Sequence, residues 1–259
     1  MTAIFYMGEK TVTLNEFFEQ NPKAALAFSG GVDSAYLLSA AITCGCDICA
    51  YYVKSEFQPQ FELEDAKKLA EQLGARLKVI ELSVLSEENI CANRPDRCYH
   101  CKKRILSAAA AAARSDGYSL LLDGTNASDE AEDRPGMKAI CELGVRSPLR
   151  ECGITKAELR ERSWKAGLFT WDKPAYACLA TRIPQGTEIT AAALETTERA
   201  EAVLTEMGFR DFRIRMAGTA ARIQLPASQL ELLLARREEV LAKLKPYYES
   251  VTLDLEVRK

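Results

Sequence analysis

Residues 24–34 read Ala24-Ala25-Leu26-Ala27-Phe28-Ser29-Gly30-Gly31-Val32-Asp33-Ser34, and the order of residue types there decides the fold. A short apolar run ends in Ser-Gly-Gly and an amphipathic segment follows. That is the pattern of a buried strand, a tight glycine turn and a helix start. Gly30 and Gly31 admit positive φ and let an anion approach the backbone closely. The N–H groups of such a turn, with the positive end of the next helix, make a phosphate cradle. Ser29 and Ser34 add hydroxyl donors, and Asp33 is placed either to cap the helix or to hold a magnesium ion. No Gly-Lys-Ser/Thr follows the glycines, so this is not a P-loop of the kind that splits a β–γ phosphate bond.

The 259 residues suit one large or two modest domains, and their 47% apolar and 27% charged content is ordinary for a globular protein. A net charge of −3 offers no global attraction for nucleic acid or an anionic membrane, so neither is expected as a partner. Residues 1–10 lack a basic region followed by a long apolar run, and no apolar run approaches the ~20 residues of a membrane span. A cytoplasmic protein is expected. The nine cysteines are odd in number and lack an export signal, which argues against a disulfide framework and for metal binding or thiol chemistry.

Periodicity predicts a leader helix within 9–20 and strands at 24–28, 48–53, 76–82 and 120–123. They alternate with helices at 33–43, 61–73 and 98–115. Further helices are expected near 137–143 and at 155–166, where Thr155 and Glu158 form a capping box. This spacing predicts an α/β fold with a doubly wound parallel sheet. Ligands in such sheets sit at the carboxyl ends of strands. The expected phosphate-ligand contacts are therefore Ala27, Phe28, Ser29, Gly30, Gly31, Asp33, Ser34, Val53 and Gly124, with Asp129 and Arg134 in the loop after the fourth strand. Pro174, Pro184 and Gly186 break the alternation. Beyond them, helices at 190–207 and 227–244 and strands at 212–216, 222–225 and 251–257 predict a smaller C-terminal α+β domain. The expected division is 1–172, an inter-domain loop 173–189, and 190–259.

Cys98-Tyr99-His100-Cys101 opens the alanine-rich helix, and residues three apart share a helical face, so both sulfurs reach one ion or cluster. The helix N-terminus and Arg97, Lys102 and Lys103 are expected to favour thiolates. Structural zinc, a redox pair and a cluster all use this spacing. His100 is the only histidine and no second C-x-x-C exists, which counts against a four-ligand zinc site. Cys178 is the natural third ligand, and Cys91 as a fourth would close the site.

Ser29-Gly30-Gly31-Val32-Asp33-Ser34 after a strand resembles the PP-loop of the ATP pyrophosphatase superfamily, an adenine nucleotide alpha hydrolase-like fold. Members of that superfamily cleave ATP between the α and β phosphates and adenylate a substrate. Asp123-Gly124-Thr125-Asn126, Asp133-Arg134-Pro135-Gly136, Ser147-Pro148-Leu149 and Lys173-Pro174-Ala175-Tyr176-Ala177-Cys178-Leu179-Ala180-Thr181-Arg182 make the resemblance specific to the LarE family. These are ATP-dependent sulfur transferases of nickel-pincer cofactor biosynthesis. One type of the family gives up the sulfur of its own cysteine, which Cys178 matches, and is left with dehydroalanine. A second type binds a 4Fe-4S cluster through three thiolates, and Cys98 and Cys101 resemble its extra pair. The resemblance implies ATP, Mg2+ and a 4Fe-4S cluster on Cys98, Cys101 and Cys178, with Ser29, Asp33 and Cys178 in catalysis. It also implies a homo-oligomer and a pyridinium dicarboxylate mononucleotide substrate. For such an anion, Arg182, Arg213, Arg215 and Arg222 are the expected partners, Arg213 and Arg215 alternating on one strand face. Tyr99 and Trp171 are candidates to stack on its ring. The competing readings are a PP-loop tRNA thiolation enzyme and a non-catalytic iron–sulfur or sulfur carrier.

Overall fold

The computed structural model describes residues 12–129 and 135–258. In chain order, helix α1 (Leu14–Gln20) leads into β1 (Lys23–Ala27), α2 (Val32–Thr43), β2 (Asp47–Lys54), α3 (Gln60–Gln72) and β3 (Arg76–Glu81). Next come α4 (Glu88–Cys91), α5 (Arg97–Ser115), β4 (Leu121–Leu122), α6 (Pro135–Glu142), α7 (Pro148–Glu151) and α8 (Lys156–Lys165). Strands β1–β4 form one parallel sheet in the order β3-β2-β1-β4. Side chains alternate across it, as strand geometry requires. Leu26, Ile48, Ala50 and Tyr52 pack into a core under α1, α2, α3 and α8, whereas Ala25, Cys49, Tyr51 and Val53 pack into a second core under α5 and α6. Both faces are covered, which is why β1 and β2 read as nearly unbroken apolar runs.

The chain runs outward from β1 through β2 to β3, then crosses back to place β4 on the other side of β1. The strand order thus reverses between β1 and β4, and the turns leaving their carboxyl ends meet there. Two glycines permit that meeting. Gly30 has φ +72°, and a Cβ on it would lie 3.0 Å from Ala66 Cβ of α3. A Cβ on Gly124 would lie 2.9 Å from the Ser34 backbone nitrogen of α2.

Beyond α8, a 3-10 turn (Leu179–Arg182) precedes α9 (Ala191–Glu206), β5 (Arg213–Ala217), β6 (Ala220–Gln224), α10 (Leu230–Ala235), α11 (Arg237–Leu244) and β7 (Ser250–Leu253). Strand β6 pairs antiparallel with β5 and parallel with β7. Ala200, Leu204, Phe209, Ile214, Ile223 and Leu244 form the core of this unit. The stretch 173–189 is held along its length: Leu179 N donates to Phe57 O at 2.9 Å, Gly186 N to Asn93 O at 3.0 Å and Ile189 N to Cys91 O at 2.7 Å. Leu179, Ala180, Ile183 and Ile189 are buried with Phe57, Val84 and Ile90, which bonds this stretch to the first unit. Among the described residues no helix is long and apolar enough to cross a membrane.

Several expected elements change. The leader helix begins only at Leu14, where Thr13 and Glu16 form a capping box, and residues 9–11 lie outside the described residues. The single helix expected over 227–244 is a 3-10 turn and two helices, broken at Arg236 (φ −106°, ψ 18°). There the Arg236 guanidinium donates to Met207 O at 2.6 Å. The last strand ends at Leu253 because Asp254 turns aside to accept from Gln224 Nε2 and Glu256 N. Helices α4 and α7 replace stretches expected as loop.

Gly124→Ala drives a methyl group into the Ser34 backbone, which has no flexible side chain to yield. It is expected to cost about 2 kcal/mol, the usual scale for forced overpacking, read as a lowered urea midpoint with an unchanged m-value.

Candidate functional site

The turn after β1 is braced by its own hydroxyls. Ser29 Oγ and Ser34 Oγ lie 3.1 Å apart, Ser34 Oγ donates to Gly31 O at 3.2 Å, and Gly31 N donates to Ser29 Oγ at 3.3 Å. Gly31 is the N-cap of α2 and no side chain caps that helix. Asp33 is therefore not a cap. Its carboxylate faces outward, accepting from Lys156 Nζ at 2.6 and 2.8 Å and from Asn126 Nδ2 at 3.3 Å. Asn126 also donates its backbone N–H to Asp129 at 3.0 Å, so one asparagine joins the two carboxylates beside the turn. Buried Asp123 orders this loop, accepting from Thr125 Oγ1 and Ser147 Oγ at 2.6 Å each.

These turns line a cavity of about 720 Å³. Ala27, Phe28, Ser29, Gly31, Asp33, Ser34, Val53, Gly124 and Asp129 all contribute to its wall. Gly30 lies behind the turn against α3, and Arg134 lies outside the described residues. Cys98, Cys101 and Cys178 line the same cavity. The structure thus brings thiols from α5 and from the stretch before the 3-10 turn to one cavity with the glycine turn after β1. Burial, reinforced by the charges of Cys178 and Cys98, pushes the Cys101 thiol up to about 12. Burial also raises Cys178, against the opposing charges of Arg97 and Arg182. The thiolate bias expected at the Cys98–Cys101 pair is overturned at Cys101, because desolvation outweighs the nearby cations. Two of those cations are directed elsewhere: Lys102 lies 3.5 Å from Asp123, and Lys103 pairs with Glu142 at 2.7 Å.

Among the described residues no three His, Cys, Asp or Glu side chains converge tightly enough for one metal ion. A single ion with bonds of about 2.3 Å to sulfur demands donors at one point, whereas these thiols ring a cavity wall. Cys91 does not line it; its thiol donates to Glu88 O at 3.7 Å.

A second cavity of about 340 Å³ adjoins the first, and Arg97 and Cys98 line both. Arg182, Arg215 and Arg222 line the second. Arg182 has no exposed side chain: it forms a two-pronged ion pair with Glu201 at 2.7 and 3.0 Å and donates to Ala177 O at 2.9 Å. Arg215 spans Gln224 Oε1 at 2.6 Å and Thr181 O at 2.5 Å, and Arg222 is half exposed, 3.5 Å from Asp254. Arg213 lines neither cavity. It is buried, donating to Phe212 O at 2.6 Å and to Ala175 O, with its guanidinium over the Tyr176 ring. Tyr99 and Trp171 also line neither cavity, Tyr99 donating to Glu142 at 2.7 Å and Trp171 lying exposed.

Sequence reasoning missed Lys156, Lys173, Asn93 and Glu62. Lys156 lay in view as the residue after the Thr155 cap, but its ion pair with Asp33 joins α8 to α2. Lys173 pairs with Asp65 at 2.7 Å in the cavity wall. Glu62 lies one turn before Ala66 on α3, on the face that backs Gly30. It lines the cavity, and its carboxyl has no hydrogen bond or ion pair among the described residues. Burial pushes its carboxyl up to about 7, with Lys173 opposing and Asp65 reinforcing the rise.

The family model described as queuosine biosynthesis protein QueC matches residues 23–94, from β1 to the loop before α5. A pyridinium-3,5-bisthiocarboxylic acid mononucleotide synthase of Lactiplantibacillus plantarum is 34% identical over 252 residues, covering 96% of this chain and 91% of that protein. An uncharacterized protein of Synechocystis sp. is 36% identical over 256 residues, 96% of this chain and 95% of that protein. An argininosuccinate synthase of Haloarcula marismortui is 28% identical over 58% of this chain and 38% of its own length.

Between its ordinary 4.5 and its folded value of about 7, Glu62 holds a proton in the folded chain that the unfolded chain releases, so stability falls as pH rises through this window. Glu62→Gln is expected to flatten that slope and to gain on the order of 2 kcal/mol near neutral to mildly alkaline pH. Urea unfolding across the window measures it, and an unchanged slope would refute the assignment.

Proposed function

The chain belongs to the LarE family of PP-loop, ATP-dependent sulfur transferases, and from that premise we propose that it adenylates a carboxylate of a pyridinium mononucleotide and replaces the carboxylate oxygen with sulfur. One observation carries this reading: Cys98, Cys101 and Cys178 share a single cavity wall with the Ser29–Asp33–Ser34 cradle. An activated carboxylate formed in this cavity therefore shares it with the candidate sulfur donors.

In the first step a substrate carboxylate oxygen attacks the α-phosphorus of ATP. The bond from that phosphorus to the bridging oxygen breaks, pyrophosphate leaves, and an acyl-adenylate remains. The backbone N–H groups of the turn and the hydroxyls of Ser29 and Ser34 hold the phosphates, and Lys156 supplies positive charge beside them. Asp33, with Asp129 joined to it through Asn126, suits a magnesium ion, which takes one or two carboxylates and draws its other ligands from phosphates. Held there by Asp33 and Asp129, such an ion would supply positive charge against the phosphates.

In the second step sulfur attacks the acyl carbon, the bond to AMP breaks, and AMP leaves with its electron pair. With the Cys178 thiolate as nucleophile the product is a thioester. Loss of the Cys178 α-proton then breaks the bond from Cβ to sulfur, releasing the thiocarboxylate and leaving dehydroalanine. The three thiols would be the protein ligands of a 4Fe-4S cluster, with the Arg97 guanidinium 3.5 Å from Cys98 Sγ and no fourth thiol lining the wall among the described residues. Held by Cys98, Cys101 and Cys178, such a cluster would present a bound sulfide as the sulfur donor in place of the Cys178 sulfur.

The arginine-lined second cavity suits the substrate phosphate, with Arg215 and Arg222 nearest the open side. Arg182 and Arg213 shape it rather than contact the anion, since Arg182 is committed to Glu201 and Arg213 to backbone carbonyls. A cavity of about 340 Å³ is sized for a mononucleotide fragment rather than an RNA strand. The homo-oligomer that the family resemblance implies belongs to the same reading.

Anaerobic purification is expected to yield roughly four irons per chain, falling sharply in Cys98→Ala and Cys178→Ala. With the dicarboxylated pyridinium mononucleotide and ATP, the wild type releases pyrophosphate and AMP and forms thiocarboxylate, and Cys178→Ala loses sulfur transfer by more than ~10²-fold while still releasing pyrophosphate. Iron-free protein whose Cys178 loses the mass of hydrogen sulfide on turnover selects the sacrificial route. Iron content unaffected by both substitutions refutes the three-thiolate assignment.

A further inference from the structure

The three cysteines come from two segments with no strand or long helix pairing between them, so something else must set their spacing. We propose that Asn93 and Arg97 are positioning residues forming a latch that holds Cys178 in register with the Cys98–Cys101 turn. The inference rests on the reading that these thiols act together.

Asn93 is 1% exposed and has φ +54°, a left-handed conformation that asparagine tolerates better than other side-chain-bearing residues. From that position it makes four hydrogen bonds to other segments. Its Nδ2 donates to Pro184 O at 2.9 Å and Ile183 O at 3.4 Å, and its backbone carbonyl accepts from Gly186 N at 3.0 Å. Its Oδ1 accepts from Arg97 Nη1 at 2.5 Å. Arg97 begins α5 and carries the connection onward: Nη1 also donates to Ala180 O at 3.1 Å, two residues past Cys178, while Nη2 lies 3.5 Å from Cys98 Sγ. One planar guanidinium thus spans from one sulfur to the backbone beside another. The fork makes this possible, since a lysine ammonium offers no second donor in a fixed direction. Arg97 and Cys98 also line both cavities, so the latch lies where they join.

The test uses the full chain, reduced and free of iron, treated anaerobically with the short bifunctional thiol reagent 1,2-ethanediyl bismethanethiosulfonate, and the products are mapped by mass spectrometry. The wild type is expected to give both Cys98–Cys101 and Cys98–Cys178 cross-links. Asn93→Gly keeps the left-handed backbone but deletes the amide, and Arg97→Lys keeps the charge but deletes the fork. Each should lower the Cys98–Cys178 product about fivefold or more and leave the Cys98–Cys101 product, which lies within one helix turn, unchanged. Equal loss of both products marks general unfolding and overturns the proposal. So does a Cys98–Cys178 yield within about twofold of wild type, or its absence from the wild type. Neither ATP nor iron enters the measurement, so failure of the sulfur-transfer reading leaves this result intact.

Discussion

A buried ion pair holds the sulfur end of the molecule together. Arg182 and Glu201 meet with both guanidinium prongs and both carboxylate oxygens away from solvent. Glu201 also accepts from Ile214 N of β5 at 2.9 Å and from Tyr176 Oη at 2.6 Å, and Arg182 lies over the Tyr176 ring. Removing one partner of such a pair leaves an uncompensated buried charge, at a typical cost of about 3–5 kcal/mol. The pair therefore fixes α9, β5 and the stretch around Cys178 as one piece. The same stretch is tied to the first unit by Leu179 N on Phe57 O and Gly186 N on Asn93 O, and Cys178 lies in the wall of a cavity built mostly by that unit.

That cavity joins two different environments. At the cradle, polar groups are satisfied and charge is balanced, with Asp33 against Lys156 and Asn126 tying Asp33 to Asp129. Around the thiols, burial holds Cys101 and Cys178 towards the protonated form, while Cys98 is exposed. A polar, cation-bearing surface at the cradle suits the developing charge on phosphate. Glu62 lines the same cavity, its carboxyl pushed up to about 7 by burial.

Much of the fold was legible because its causes are local. The alternation of β1 and β2 across two cores, the glycine turn after β1, and the Thr155–Glu158 capping box each depend on residues a few positions apart. The misses have distant causes. Helix 227–244 breaks at Arg236 because its guanidinium finds Met207 O, 29 residues earlier. Arg182 and Arg213 read as ligands for an anion, since a strand or loop arginine shows its charge and not its partners. In the fold Glu201 and the carbonyls of Phe212 and Ala175 take up those donors.

The sequence by itself determined the parallel sheet and the glycine cradle after β1, and it singled out Cys98, Cys101 and Cys178, because periodicity, glycine placement and residue type act over short spans. Only the tertiary structure decided that those cysteines share a wall with the cradle. It alone decided which arginines remain open to a ligand, and that Asn93 and Arg97 connect the two cysteine-bearing segments. Those outcomes depend on hydrogen bonds and burial between residues far apart in the chain, which no spacing along it records.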